Sequence, residues 1–156
     1  MKGFILTLGS LVILNALAAQ GDAMPKVFVL GQQETGYEQL NQSYKQSLLE
    51  ACNNDMQAAF DRWLEMMQEM ENYAARINYN DLKGVKVLMH VFWNEDGTVA
   101  HLGYFVRPDS RLVKAEELSA FFTSFLNQYK FPVTSNRKFA HYTKASFPTF
   151  TERAQR

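Results

Sequence analysis

The chain carries a single cysteine, Cys52, and only four prolines, Pro25, Pro108, Pro132 and Pro148, among 156 residues. A lone thiol excludes an internal disulfide and any CxxC metal site. In an oxidising compartment such a thiol is kept from solvent, so Cys52 is expected in the core rather than in redox chemistry. The scattered prolines exclude a Pro-rich spacer. Neither sign of charge is in excess: 16 Lys and Arg stand against 16 Asp and Glu. The chain therefore lacks the basic footprint of a nucleic-acid binder and the polybasic cluster that holds a protein on an anionic membrane. A GxSxG elbow and a glycine-rich phosphate loop are both missing. With Cys52 in an apolar stripe and serines scattered, no nucleophile, base and orienting group assemble, and neither an enzyme nor a cofactor is expected. Arg107, Arg111 and Lys114 around Asp109 have the chemistry to recognise a carboxylate, but a solvated loop accounts for them as well.

The amino terminus holds the one long apolar run. Met1-Lys2 is followed by Phe4 to Leu17, FILTLGSLVILNAL, then by Ala18-Ala19 and the polar Gln20-Gly21-Asp22. A positive start, an apolar stretch and small residues before a polar turn make residues 1–19 a signal peptide cut near Ala18–Gln20. The run is shorter than the ~20 residues of a spanning helix and is interrupted by Thr7, Ser10 and Asn15. An uncleaved anchor, the one route by which this chain would meet a membrane, is the alternative. The expected location is periplasmic or otherwise exported.

The remaining chain is rich enough in apolar (47%) and aromatic (13%) residues to bury a core. Residues 20–36 are a linker holding a short β-type run, Lys26 to Leu30. From 37 to 77 the period becomes helical. Leu40, Tyr44, Leu48 and Cys52 form one stripe, and Met56, Phe60, Trp63, Met67, Met70 and Ala74 continue it past Asn53-Asn54-Asp55. The segment is a long amphipathic helix or a helical hairpin, with Asp55 suited to cap a second helix. Its methionines, Met66 among them, are read as packing on a sheet, since no histidine stands among them at ligand spacing.

Residues 78–150 begin with the clearest strand. Val85, Val87, Met89, Val91 and Trp93 alternate with Lys86, Leu88, His90 and Phe92. Asn94-Glu95-Asp96-Gly97 predicts a hairpin turn, because glycine accepts the positive φ such turns need. Thr98 to Val106 returns as the second strand. Lys114 to Tyr129 presents Leu118, Phe121, Phe122, Phe125 and Leu126 on one helical face. Lys138 to Phe147 is an aromatic final strand, and residues 151–156 are a tail.

This carboxy-terminal half resembles the carboxy-terminal domain of TonB-type energy transducers. Leu82-Lys83-Gly84-Val85-Lys86-Val87 is similar to that domain's opening strand, and Asn94 to Val99 to its hairpin turn. Glu117-Leu118 through Phe125 is similar to its single helix, and Tyr129-Lys130-Phe131-Pro132 to the end of that helix without the usual spacer before proline. The resemblance implies a three-stranded antiparallel sheet with one packed helix, and the expected class is α+β. Because Trp93, Phe92, Phe105 and Leu88 put apolar surface on both sides of that sheet, the Tyr37–Ala75 stripe is expected to cover one face. The resemblance also implies a partner: an extended segment of an envelope or outer-membrane protein, added to the edge of the last strand at Lys138, Phe139, Ala140, His141, Tyr142, Thr143 and Lys144. The chain would be an exported, stand-alone member without the usual anchor and Pro-rich spacer, and energy transduction is left open. Two alternatives stay beside this reading. The same edge could pair with a second copy in a structural homodimer, or His90, His101 and His141 could share one sheet face and hold a metal.

Overall fold

The alternation of Val87, Met89, Val91 and Trp93, all with no exposed surface, sets β3 (Lys86–Trp93) at the centre of the structure. The computed structural model describes residues 23–149, so the expected signal peptide and the 151–156 tail lie outside the described residues. Strand β3 pairs antiparallel with β4 (Val99–Val106) on one side and with β5 (Phe139–Ser146) on the other. The predicted turn joins β3 to β4. Gly97 has φ +84°, and a Cβ there would lie 2.3 Å from the Phe131 carbonyl oxygen, so both conformation and space require glycine. The Asp96 carboxylate accepts from the Thr98 backbone N–H at 2.9 Å and fixes the turn.

The expected three-stranded sheet needs correcting. Two short parallel strands flank the antiparallel trio, β1 (Val27–Val29) on β4 and β2 (Gln46–Ser47) on β5. The sheet is thus mixed and five-stranded, in the order β1-β4-β3-β5-β2. Runs of two or three residues are too short to show a period, which is why β2 left no trace in the sequence pattern.

The first face of the sheet is packed by α3 (Met56–Arg76) and α4 (Ala115–Leu126). Met66, Met67, Met70, Leu118 and Phe122 are sealed there with no exposed surface. Each such side chain contributes roughly 1.5–3 kcal/mol of burial. The Tyr104 hydroxyl is satisfied by donating to the Ala115 carbonyl at 2.9 Å and by the Ser119 hydroxyl at 2.7 Å. Among the described residues the second face is covered at one end. There α1 (Glu34–Ser43) sets Leu40, together with Tyr44 and Phe28, against Phe92 and Ala140. On this face Phe105 and Tyr142 remain exposed.

The 37–77 segment is therefore neither one helix nor a simple hairpin on one face. The chain leaves α1 at Tyr44, forms β2, and restarts as α2 (Leu48–Ala51). Leu40 and Tyr44 serve the second face and Leu48 the first. A four-residue spacing cannot record a break that happens to preserve it. Ser47 makes the restart, because its hydroxyl accepts from the Glu50 N–H while the Glu50 carboxylate accepts from the Ser47 N–H, a reciprocal capping box. Asn53 and Asn54 then take left-handed conformations, with φ of 56° and 61°, which asparagine tolerates better than most residues. Asp55 caps α3 by accepting from the Ala58 N–H at 3.0 Å. The polar Asn-Asn-Asp cluster is a helix junction. Cys52 beside it is half-buried, and burial pushes its thiol pKa up. Among the described residues no helix is long and apolar enough to cross a membrane.

Candidate functional site: the outer edge of the last strand

Register decides which backbone groups of β5 are spent inside the sheet. The Phe147 N–H donates to the Val85 carbonyl at 2.9 Å, and β3 and β5 stay in step from Lys86–Ser146 to Trp93–Phe139. Antiparallel pairs alternate, so Phe139, His141, Thr143 and Ala145 turn their N–H and C=O groups toward β3. Ala140, Tyr142, Lys144 and Ser146 turn theirs outward. Strand β2 meets only Phe139 and Ala140. Among the described residues no other strand lies beyond β5. The expected edge at Lys138–Lys144 is thus displaced: its start is covered by β2, and the open row runs over Tyr142, Lys144 and Ser146.

The capping box creates this opening. Ser47 must turn its backbone into α2, which stays in contact with β5, so strand pairing by β2 stops after two residues. Beyond that point α3 stands across a cleft from β5. The cleft has a volume of about 310 Å³, with Met56, Phe60 and Trp63 on the helix side, Thr143 and Ala145 on the strand side, and Leu48 at one end. Met56 and Phe60, read from the sequence as core, are 68% and 51% exposed at its rim. Trp63 is buried and meets the His141 ring edge-on at 4.9 Å. On the other face, Tyr142 is exposed and its ring lies 5.3 Å from that of His90. Lys138, at the covered end, holds its ammonium 5.5 Å from the Tyr44 ring.

The histidines do not converge. Val91 pairs with His141, so His90 and His141 project from opposite faces of the sheet. His90 sits under α1, where Nδ1 and the Tyr37 hydroxyl share a 2.9 Å hydrogen bond and Phe92 stacks on the ring at 4.1 Å. Burial pushes its pKa down to about 4, with a smaller contribution from His141. His141 is also held low by burial, on the α3 side. His101 uses Nδ1 on the Pro25 carbonyl at 3.0 Å. The single-face metal set expected from the sequence does not form, and among the described residues no group of three or more His, Cys, Asp or Glu is placed to hold a metal. The basic loop is also spent locally: Arg107 and Lys86 meet Asp109 at 3.1 Å, Arg111 meets Asp81, and Lys114 meets Glu117.

Two parts of this site escaped the sequence reading: the Met56–Phe60 rim and the Ser47–Glu50 box. The second had a signal, a Ser followed three residues later by Glu. The chain matches no protein-family model, no curated protein and no solved structure.

Proposed function

We propose that this protein is an exported binding module that takes an extended segment of a cell-envelope protein as an added strand on β5, in the manner of TonB carboxy-terminal domains. The observation that supports this most is the outward row of Tyr142, Lys144 and Ser146, which no strand among the described residues pairs, beside an apolar cleft. Strand addition needs these two features together: main-chain groups to bond the guest, and a pocket for its alternate side chains. Proteins guard free edges with proline, charge or a covering loop. Here Lys144 is the only charge on the open row.

The test uses residues 20–156 as bait for an envelope extract. Lys144→Pro removes an outward N–H and should abolish capture while the fold persists. A peptide copied from the captured segment should slow hydrogen exchange at Tyr142, Lys144 and Ser146. Undiminished capture by Lys144→Pro, or protection confined to another surface, refutes strand addition. A second reading is favoured by the exposed Met56 and Phe60, which would also suit a partner copy across the edge. A concentration-dependent dimer in light scattering, lost in Lys144→Pro, selects that homodimer instead.

A further inference from the structure

The chemistry on the two sides of the open row differs, and this bears on what the guest must look like. A residue paired opposite Thr143 or Ala145 shares their face and sends its side chain into the cleft. The cleft is lined mainly by Met56, Phe60, Trp63 and Met67, with Leu48, Leu64 and Ala145 around them, and Lys144, which borders it, alternates toward the other face. A charged guest side chain would lose water there without gaining a partner. Apolar side chains fit, and the flexible methionines can adjust to their shapes.

A residue paired opposite Lys144 points to the other face. Lys86 on that face is already held by Asp109 at 3.1 Å. Lys144 is exposed, and among the described residues it has no carboxylate at ion-pair distance. A cross-strand position directly opposite an unpaired lysine favours an acid and disfavours a base.

We infer that the guest segment reads apolar–acidic–apolar over three consecutive residues, with its acid opposite Lys144 and its flanking side chains in the cleft. The pattern is symmetric, so it holds whether the guest runs parallel or antiparallel to β5. This inference rests on the strand-addition reading and narrows it to a class of partner.

The experiment pans residues 20–156 against bead-bound heptapeptides whose three central positions are randomised between Gly-Ser flanks. Wild type should enrich Asp or Glu at the centre between Leu, Ile, Met or Phe. In fluorescence polarisation with the enriched peptides, Lys in place of the central acid should weaken binding about two- to fivefold. Ser in place of either apolar neighbour should weaken it about tenfold. Lys144→Glu should turn the central preference to Lys or Arg without altering the neighbours, and Lys144→Gln should erase it. If peptides are captured with no central preference, or the acidic preference survives Lys144→Glu, this inference is overturned while strand addition stands. If wild type captures no peptide at all, both are overturned.

Discussion

The two edges of the sheet are finished differently. On the β4 side, β1 runs alongside from Leu102 to Tyr104, with the Leu102 N–H donating to the Lys26 carbonyl at 2.7 Å and the Leu30 N–H to the Tyr104 carbonyl at 2.8 Å. On the β5 side, β2 pairs as far as Ala140 and gives way to α2. Both covering strands are parallel and come from the first part of the chain, but they end for different reasons. Val27–Val29 is an apolar run that turns only at Gly31, where φ is +91°. Gln46–Ser47 ends because Ser47 is already committed as a helix cap. Whether an edge stays open here depends on where the next helix begins, more than on strand propensity.

The largest effect expected along the open side comes from Trp63→Ala. The ring walls the cleft yet is buried against His141, so its loss should cost about 3–5 kcal/mol in chemical denaturation. A loss well under 1 kcal/mol would mean that the cleft wall is not part of the core. Next come two adjacent prolines. Thr143→Pro removes a bond to β3 and leaves a buried carbonyl short of a donor, which should cost about 1–3 kcal/mol. Lys144→Pro, facing outward, should cost less than about 1 kcal/mol. Equal losses for the two would break the assignment of inward and outward amides.

A smaller effect follows from His90. Its folded pKa of about 4 lies below the ordinary histidine value of 6.5, so between these pH values the unfolded chain binds the extra proton. Stability should therefore be full above pH 6.5 and fall as the pH drops toward 4, by on the order of 1–2 kcal/mol after allowing for solvent screening of a partly exposed ring. The rings around it are those of Tyr37, Phe92 and Tyr142, and His141, whose own pKa burial also lowers, adds to the same pH dependence. His90→Gln should flatten this part of the stability–pH curve, and a slope unchanged by it would place the proton elsewhere. Ser47→Ala should cost about 1 kcal/mol, with faster amide exchange at Glu50. Unaltered exchange there would remove the cap as the reason β2 stops.

The parts of the molecule legible from its sequence are those whose pattern repeats within one element. Lys86–Trp93 alternates over eight residues, Asp96-Gly97 marks its turn, and Asp55 precedes a helix it does cap. The α+β class follows from these. What stayed hidden depends on partners distant in the chain. No local pattern says that Gln46 will pair with Phe139, and the Leu40–Cys52 spacing looks continuous although its members serve two faces. Met56 and Phe60 match the core period of α3, but they stand across the cleft from β5 and stay exposed. The histidines were misread for a related reason, since a one-residue offset between neighbouring strands sends side chains to opposite faces.

The placement of the covering strands also sets an order in time. Val27 waits for Leu102, and Gln46 for Phe139, before either can pair. The hairpin of β3 and β4 can form from neighbouring residues, but β5 must arrive before β2 has anything to join. Contacts so far apart in sequence close slowly. In a chain that emerges amino end first, Met66, Met67 and Met70 must be kept from aggregating until the residues up to Ser146 are free.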